Sequence, residues 1–287
     1  LYGDPVTRLH IDFETRSEAD LEAVGAIAYA MHPSTHVMCM GYASDDEPVV
    51  VLTGKQVRAG AFPKDLGNAT IVAHNAQFED AIWEYVMHRK YGYAPIHDPK
   101  RWDCTMARAL MVGLPGKLED VARVLALPFQ KDLEGRRAML LLAKPAGVDP
   151  LGDAIWNNDP ALVAKMLAYN PLDVEIERAA DKVLPAMLPF ERAIWEHTLI
   201  VNRRGVQVDV PLAQKAAKLA RVLTADLNDQ LRTLSGGAVD KATQIARLKK
   251  WLADQGLPEF LPKVAGANVD EDGEEIEQAG LDKAAML

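Results

Sequence analysis

Only two cysteines, Cys39 and Cys104, occur in 287 residues. They are too few and too far apart to staple a fold, so a reducing, intracellular setting is expected. No apolar run approaches the roughly 18 residues of a membrane span, and no basic-then-apolar leader precedes the first strand. A cytoplasmic chain without a membrane partner is the expectation. An excess of positive charge is missing as well, since the net charge is −9. The distribution matters more than the total. Residues 1–187 hold 19 Lys/Arg against 26 Asp/Glu (−7), residues 188–263 hold 12 against 8 (+4), and residues 264–287 hold 1 against 7 (−6). The middle block is locally basic, and a metal-dependent site brings acids of its own, so acidity does not exclude a nucleic-acid substrate. No internal repeat is present, and Leu1 in place of an initiating Met points to a fragment or a processed chain.

What is present is a globular composition. Hydrophobic residues make up 49% of the chain, which excludes disorder for most of it, and the length suits one large domain plus a smaller one, or two comparable units. Leu9, Ile11 and Phe13 alternate with His10, Asp12 and Glu14, the period of a strand with one apolar and one polar face. Residues 8–14, 36–44 and 48–52 read as three strands, with Ser44-Asp45-Asp46-Glu47 as the turn between the last two, which predicts an antiparallel meander. Thr70 to Ala73 is a fourth strand, followed by an amphipathic helix from about Glu79 to Tyr91 that turns Ile82, Trp83 and Val86 inward. Helices are expected over Thr105 to Met111, with Asp103 as N-cap, and over Leu118 to Leu125. A long helix follows from Pro160, behind the N-cap Asp159, to about Leu184.

Pro185 and Pro189 mark a change of character, and a domain boundary is expected near residue 187. Beyond it lie a helix from Phe190 to about Asn202, a Gly-turned short strand over 203–209, and a long helix that starts at Asp209 and Pro211. Leu212, Leu219, Leu223, Leu227, Leu231 and Leu234 recur along that helix, and Ser235-Gly236-Gly237 ends it. Residues 264–280, with Asp270-Glu271-Asp272-Gly273-Glu274-Glu275, read as a solvated acidic loop.

Three short motifs carry the chemistry. Asp-x-Glu arises by chance about once per 250–300 residues at ordinary composition, and this chain has six such pairs. Only Asp12/Glu14 ends an apolar-alternating strand, where both carboxylates share a face; on a helix, residues two apart diverge. The second motif, His74-Asn75-Ala76-Gln77-Phe78-Glu79, closes the fourth strand and opens a helix. Glu79 there is either a ligand at a strand-to-helix junction or the acidic first turn of a helix capped by Asn75. The third is Tyr169-Asn170-Pro171-Leu172-Asp173, whose Tyr169 and Asp173 share one face of a continuous helix. Pro171 either kinks that helix or restarts it with Asn170 as N-cap. Carboxylates gathered from the three motifs would repel one another unless Mg²⁺ or Mn²⁺ relieved them, and a metal pair suits phosphodiester hydrolysis.

Asp12-x-Glu14, Asn75-x-x-Phe78-Glu79 and Tyr169-x-x-x-Asp173, in that order and spacing, resemble the proofreading 3′–5′ exonucleases of the DEDDy type within the RNase H-like superfamily. Trp102-Asp103-Cys104-Thr105, Leu118-Glu119-Asp120-Val121-Ala122, Gln130-Lys131-Asp132 and the stretch from Glu191 to Asp209 resemble the phage-type branch of family A DNA polymerases, the DNA polymerase I class. The resemblance implies an α/β fold, an RNase H-like mixed five-stranded sheet flanked by helices, over residues 1–187. It implies a smaller, mainly helical, thumb-like start of a polymerase domain over 188–287.

By the same resemblance, Asp12 would bridge two divalent cations, Mg²⁺ or Mn²⁺. Glu14 and Asp173 would bind the first, and Glu79, or else Asp80, would serve the second at a position where the family more usually has Asp. Tyr169 would orient the attacking water, and Thr15 and Asn75 would contact the terminal nucleotide. Phe13 and Phe78 would stack on bases or fill the core. The implied partners are a single-stranded DNA 3′ end and, in the intact enzyme, a primer–template duplex. The chain would act as a monomer in the cytoplasm of a bacterial or phage-infected cell. Arg203, Arg204, Lys215, Lys218, Arg221, Lys249 and Lys250 would either grip duplex phosphates or form a solvated face. The palm and fingers motifs of the family do not occur before Leu287, so no polymerisation is expected. Two other readings stay open: an exonuclease-like module without turnover that binds DNA or serves structure, and an RNA-trimming enzyme resembling RNase D.

Overall fold

The computed structural model describes residues 7–127 and 132–257, together with the backbone of 263–269 and 275–279. The chain divides into two compact units, Leu1–Gly205 and Val206–Leu287. The first is built on a five-stranded sheet. Its strands are β1 (Arg8–Arg16), β2 (His36–Ser44), β3 (Val50–Thr53), β4 (Thr70–Ala73) and β5 (Trp102–Cys104), in the spatial order β3-β2-β1-β4-β5. The first three form the expected antiparallel meander, whereas β1–β4 and β4–β5 are parallel. The result is the mixed, helix-flanked sheet of an RNase H-like α/β fold, with β1 in its centre.

Helix α1 (Leu21–Met31) follows β1, and the short α2 (Gly54–Arg58) follows β3 behind a Thr53/Gln56 capping box. Helix α3 (Ala76–Ile82) follows β4 and continues as a π-helical turn, Trp83–His88. A 3₁₀ turn, Pro99–Arg101, leads into β5, after which come α4 (Thr105–Met111), α5 (Leu118–Val124) and α6 (Leu133–Ala143). The two-residue strands β6 (Gly147–Val148) and β7 (Ala154–Ile155) precede α7 (Pro160–Val183), and α8 (Pro189–Arg204) closes the unit. Leu9, Ile11 and Phe13 enter one core with Met40, Trp83, Trp102 and Tyr93. Each such side chain stabilises by about 1.5–3 kcal/mol when fully buried. The opposite face of β1 is not left to water. Helix α7 packs across β1, β2 and β3, so the polar alternation His10-Asp12-Glu14 is covered. Burying a strand's polar face is the fold's most consequential departure from an ordinary two-layer sheet.

Several local expectations are corrected. The helix after β4 starts at Ala76, three residues early, because Asn75 takes a left-handed backbone (φ 69°) that turns the chain without a side-chain cap. Asp103 does not cap α4. It lies within β5 with its carboxylate committed to Arg8 and Arg108, and Cys104 caps instead, its Sγ accepting from Ala107 N. No strand forms over 203–209, because α8 runs on to Arg204 and ends at Gly205 with φ 68°. Helix α8 belongs to the first compact unit: it buries Leu199 in the main core and donates from Arg192 Nη2 to the Trp102 carbonyl (2.6 Å).

In the second unit, α9 (Val210–Leu234) ends at Ser235-Gly236-Gly237 as expected, with both glycines at positive φ. α10 (Ile245–Asp254) follows. Where an acidic loop was expected, β8 (Lys263–Val269) and β9 (Glu275–Ala279) pair antiparallel. Gln130, Lys131 and the acidic run 270–274 lie outside the described residues. No helix among the described residues is long and apolar enough to cross a membrane.

Candidate metal centre

β1 delivers two carboxylates and α7 a third. Asp12, Glu14 and Asp173 each place an oxygen within 4.8 Å of the others. Strand geometry accounts for the first pair and helix packing for the third, since α7 crosses β1 at its Asp173 turn. A bulge in β2, with Met38 as the extra residue, shifts the register as β1 passes from Glu14, opposite Cys39, to Thr15, opposite Val37, and Glu14 and Thr15 are both buried. The close approach of α7 depends on two glycines. A Cβ on Gly41 would meet Asn170 Oδ1 at 2.2 Å, and one on Gly135 of α6 would meet Tyr169 Cβ at 2.5 Å.

Helix α7 is continuous through Pro171, so neither a restart nor an Asn170 cap occurs. Asn170 instead donates from Nδ2 to Asp12 Oδ2 (2.7 Å) and fixes that carboxylate. Sequence reading missed this role, although Asn170 lies three residues from Asp173 on the same helical face. Tyr169 is hydrogen-bonded to Asp173, and burial together with Asp173, Glu14 and Asp12 pushes its phenol well above the ordinary range. It is a hydrogen-bond donor at neutral pH, not a base.

Glu79 enters from the first turn of α3. It is 4% exposed, its Oε2 has no hydrogen-bond partner, and burial and the charge of Asp12 push its carboxyl well above the usual range. Asp80 is elsewhere engaged. Its two oxygens meet Arg203 Nε at 2.8 Å and Nη2 at 2.5 Å, so the Asp80 carboxylate and the Arg203 guanidinium are paired with one another. Burial, the nearby Asp173 and then Glu177 raise the Asp12 carboxyl to about 8 against the Asn170 hydrogen bond, and burial and Asp12 raise Glu14. No Lys or Arg among the described residues offsets Asp12, Glu14 or Glu79.

This donor set could hold metal ions. It is all hard oxygen, it is crowded, and it keeps a buried acceptor unsatisfied at Glu79. Beside it, a pocket of about 310 Å³ joins Glu14 and Thr15 to the apolar side chains of Phe13, Tyr29, Phe78, Met139 and Leu140. Thr15 Oγ1 is held by Tyr29 OH (3.0 Å), and Phe78 is half-buried with its ring 6.1 Å from that of Tyr29. Asn75 stands exposed at the strand-to-helix junction. On the other side, Tyr169 and Asp173 open on a cleft of about 610 Å³ that Lys117, Arg123 and Arg136 also line. His74 is a pin: it hydrogen-bonds Thr105 Oγ1 (3.0 Å) and donates to the Gly116 carbonyl (2.9 Å), tying β4 to the segments after β5.

Fold and centre together define an RNase H-like α/β unit with a carboxylate cluster, Glu14 buried and Asp12 and Asp173 partly so, that could hold metal ions. The chain is similar to the DNA polymerase of Bacillus phage SP02, with 31% identity over 263 residues that take in 87% of this chain. It spans 39% of that polymerase's length. No family model matches the chain.

Proposed function

We propose that the chain is a two-metal 3′–5′ exonuclease that hydrolyses single-stranded or frayed DNA 3′ ends to nucleoside 5′-monophosphates and proofreads for a DNA polymerase. The observation that carries this reading is the convergence of Asp12, Glu14 and Asp173, each with an oxygen within 4.8 Å of the others, in a chain similar to a phage DNA polymerase. Asp12, Glu14 and Asp173 would hold one divalent cation, Mg²⁺ or Mn²⁺, and Asp12 with Glu79 the other. Such cations, when bound, supply an ionised water and neutralise charge on the leaving oxygen.

The chain's own residues then have separate tasks. Asn170 keeps the Asp12 carboxylate turned toward the centre. The protonated Tyr169 orients the attacking water, which adds to phosphorus as the bond to the 3′ oxygen breaks in line. Thr15, Asn75 and Phe78 receive the terminal nucleotide, its base in the apolar pocket. Lys117, Arg123 and Arg136 accept the phosphates that lead away from it, which reconciles a DNA substrate with a net charge of −9. A mismatched terminus frays at lower cost than a paired one and reaches the pocket more often. In this reading residues 1–187 form the exonuclease domain, extended structurally by α8, and residues 188–287 begin a thumb-like part of a polymerase. The chain acts as a monomer and incorporates no nucleotides.

The test is release of mononucleotides from end-labelled DNA and RNA oligomers with Mg²⁺ or Mn²⁺, with Asp12→Ala as control. Metal-dependent release from DNA that the variant abolishes is expected. Binding without release indicates a module without turnover, and preferential release from RNA indicates an RNA-trimming enzyme.

A further inference from the structure

Arg8, Arg108, Arg192 and Arg203 each reach a carboxylate within the first unit. Among the described residues Arg16 has no such partner. Its Nε donates to His36 Nε2 (2.5 Å), its Nη1 to Asn158 Oδ1 (2.8 Å), and its guanidinium lies over the Trp156 ring, 4.8 Å from the centroid. These partners are neutral. His36 Nδ1 donates to the Ser34 carbonyl (2.9 Å), which puts the ring proton there and leaves Nε2 as the acceptor that Arg16 uses. Arg16 is thus held in place and its charge is left unmatched.

Arg16 lines a cavity of about 170 Å³ between the end of β1, the start of β2, α2 and the N-terminal half of α7. Arg58 and Lys55 of α2 line it too, both exposed, and neither forms an ion pair among the described residues. Asn157 adds a donor, because its Oδ1 is taken by Asp159 N (3.0 Å) while its amide nitrogen remains. No Asp or Glu lines the cavity, in a chain that carries 41 of them. A hollow lined by one sign of charge concentrates the opposite ion. Its size narrows the choice, since sites that enclose a small organic ligand run to roughly 300–1,000 Å³. A single tetrahedral anion fits better, and guanidinium and ammonium groups are the usual partners of phosphate.

We propose that this cavity is a phosphate-binding subsite, apart from the carboxylate centre, that takes one phosphate group carried by a nucleic-acid strand or free in solution. It goes beyond the nuclease reading and does not depend on it. Arg16 spends Nε and Nη1 on its tethers and keeps the Nη2 donors for the anion. Because His36, Asn158 and Trp156 already fix the guanidinium, little further ordering is needed on binding.

Two titrations of the whole chain in a chelator separate the sources: inorganic phosphate by calorimetry, and an oligothymidylate by fluorescence anisotropy over a range of NaCl. Arg58→Gln and Lys55→Gln each remove an exposed charge, with Lys241→Gln of the second unit as control. Both cavity variants should weaken inorganic phosphate at least about tenfold. If the phosphate belongs to a strand, each should also flatten the slope of log affinity against log salt by about 0.7. A flattened slope assigns the subsite to a strand, and weakened phosphate with the slope unchanged assigns it to the free ion. Unaltered phosphate affinity and slope in both variants overturn the inference, as do equal effects from Lys241→Gln or failure of the unaltered protein to bind either probe. Mononucleotide release with Mn²⁺, followed alongside, keeps the two readings apart: release that persists while the subsite fails leaves the nuclease standing, and its absence beside a working subsite removes the nuclease alone.

Discussion

The seam between β1 and α7 buries carboxylates at both ends and treats them in opposite ways. Near Arg8, Asp103 and Asp181 are enclosed by guanidinium groups. Arg8 Nη2 reaches Asp103 at 2.8 Å and Asp181 at 2.7 Å, Arg108 bonds both aspartates, and Arg192 lies 3.6 Å from Asp103. Hydrogen bonds and charge from these arginines hold the Asp103 carboxyl below its ordinary range although burial works against them. Near Glu14, on the same strand and the same helix, burial raises both Asp12 and Glu14, helped by Asp173 and Glu177 at Asp12 and by Asp12 and Asp173 at Glu14. Acids alone therefore do not mark a metal centre. What distinguishes the candidate centre is that, among the described residues, no Lys or Arg forms an ion pair with Asp12 or Glu14, whereas Asp103 and Asp181 are paired with arginines.

Neutralising one acid at each end should give effects of opposite sign. Asp181→Asn leaves Arg8 and Arg108 partly unpaired in a buried setting, and breaking such a pair costs about 3–5 kcal/mol. Asp12→Asn removes a repelled charge, so above pH 8 the metal-free variant should melt higher than the unaltered protein while nuclease activity falls at least about a hundredfold, beyond the usual effect of losing an outer-sphere partner. Thermal melts in a chelator and end-labelled DNA assays read the two. Loss of stability in both variants would erase the contrast.

The next effect is a slope with pH. Asp12 keeps its proton in the folded state up to about 8, while the unfolded chain releases it near 4. Between those values the native state holds the extra proton, so rising pH favours unfolding, and stability present at pH 4–5 is lost by pH 8. Glu14 and Glu79, also raised, act in the same direction. Asp103, lowered, acts oppositely and only in acid: its contribution is present above the unfolded carboxylate range and is lost as pH falls below it. The melting temperature in a chelator should thus decline from pH 5 to pH 8, and Mn²⁺ should flatten that decline by taking the place of the protons. A profile that metal leaves unchanged would contradict the centre.

A smaller effect is expected from Asn170, whose Nδ2 orients Asp12. Asn170→Ala should weaken Mn²⁺ about 10–100-fold with the fold retained. Gly41→Ala should do the same by pushing Asn170 aside, since the added carbon lands 2.2 Å from its Oδ1 and 2.9 Å from Val174 Cγ2. A calorimetric titration distinguishes these from the unaltered chain.

The sheet was legible in the sequence where one rule governed a segment. Alternation located β1, strand-like runs located β2, β3 and β4 to within two residues, and Asp159-Pro160 located the start of α7 to the residue. The helices α1 and α6 were not anticipated, and each has a physical reason. α1 is apolar almost all round and breaks its own period at Gly25 (φ 78°), and α6 carries Gly135 on the side that α7 approaches. In α9 the leucine periodicity marked a helix correctly, yet Leu212, Leu219, Leu223 and Leu227 are all exposed, because period reports amphipathicity and not what covers it. At the centre, spacing brought Asp12, Glu14, Tyr169 and Asp173 into view. Asn170 was missed because its contact with Asp12 depends on which face of α7 meets β1, a tertiary fact that only the faces of two packed elements disclose.

The choice between Glu79 and Asp80 is the finest form of the contrast, because two adjacent acids fall on opposite sides of it. Asp80 resembles the arginine-bound end in miniature: burial raises its carboxyl, and the hydrogen bonds and charge of Arg203 oppose that rise. Arg203 is further held by the carbonyls of Ile96 (3.1 Å) and His97 (2.6 Å), so Asp80→Asn leaves the guanidinium with acceptors. The expected loss is about 1–3 kcal/mol, that of one charged hydrogen-bonded partner, with activity nearly unchanged. Glu79→Gln should do the reverse, lowering activity and the affinity for the second Mn²⁺ while the metal-free protein melts no lower. If Asp80→Asn instead abolished activity without loss of stability, the ligand would be the aspartate, and its pairing with Arg203 would have to open whenever metal is bound.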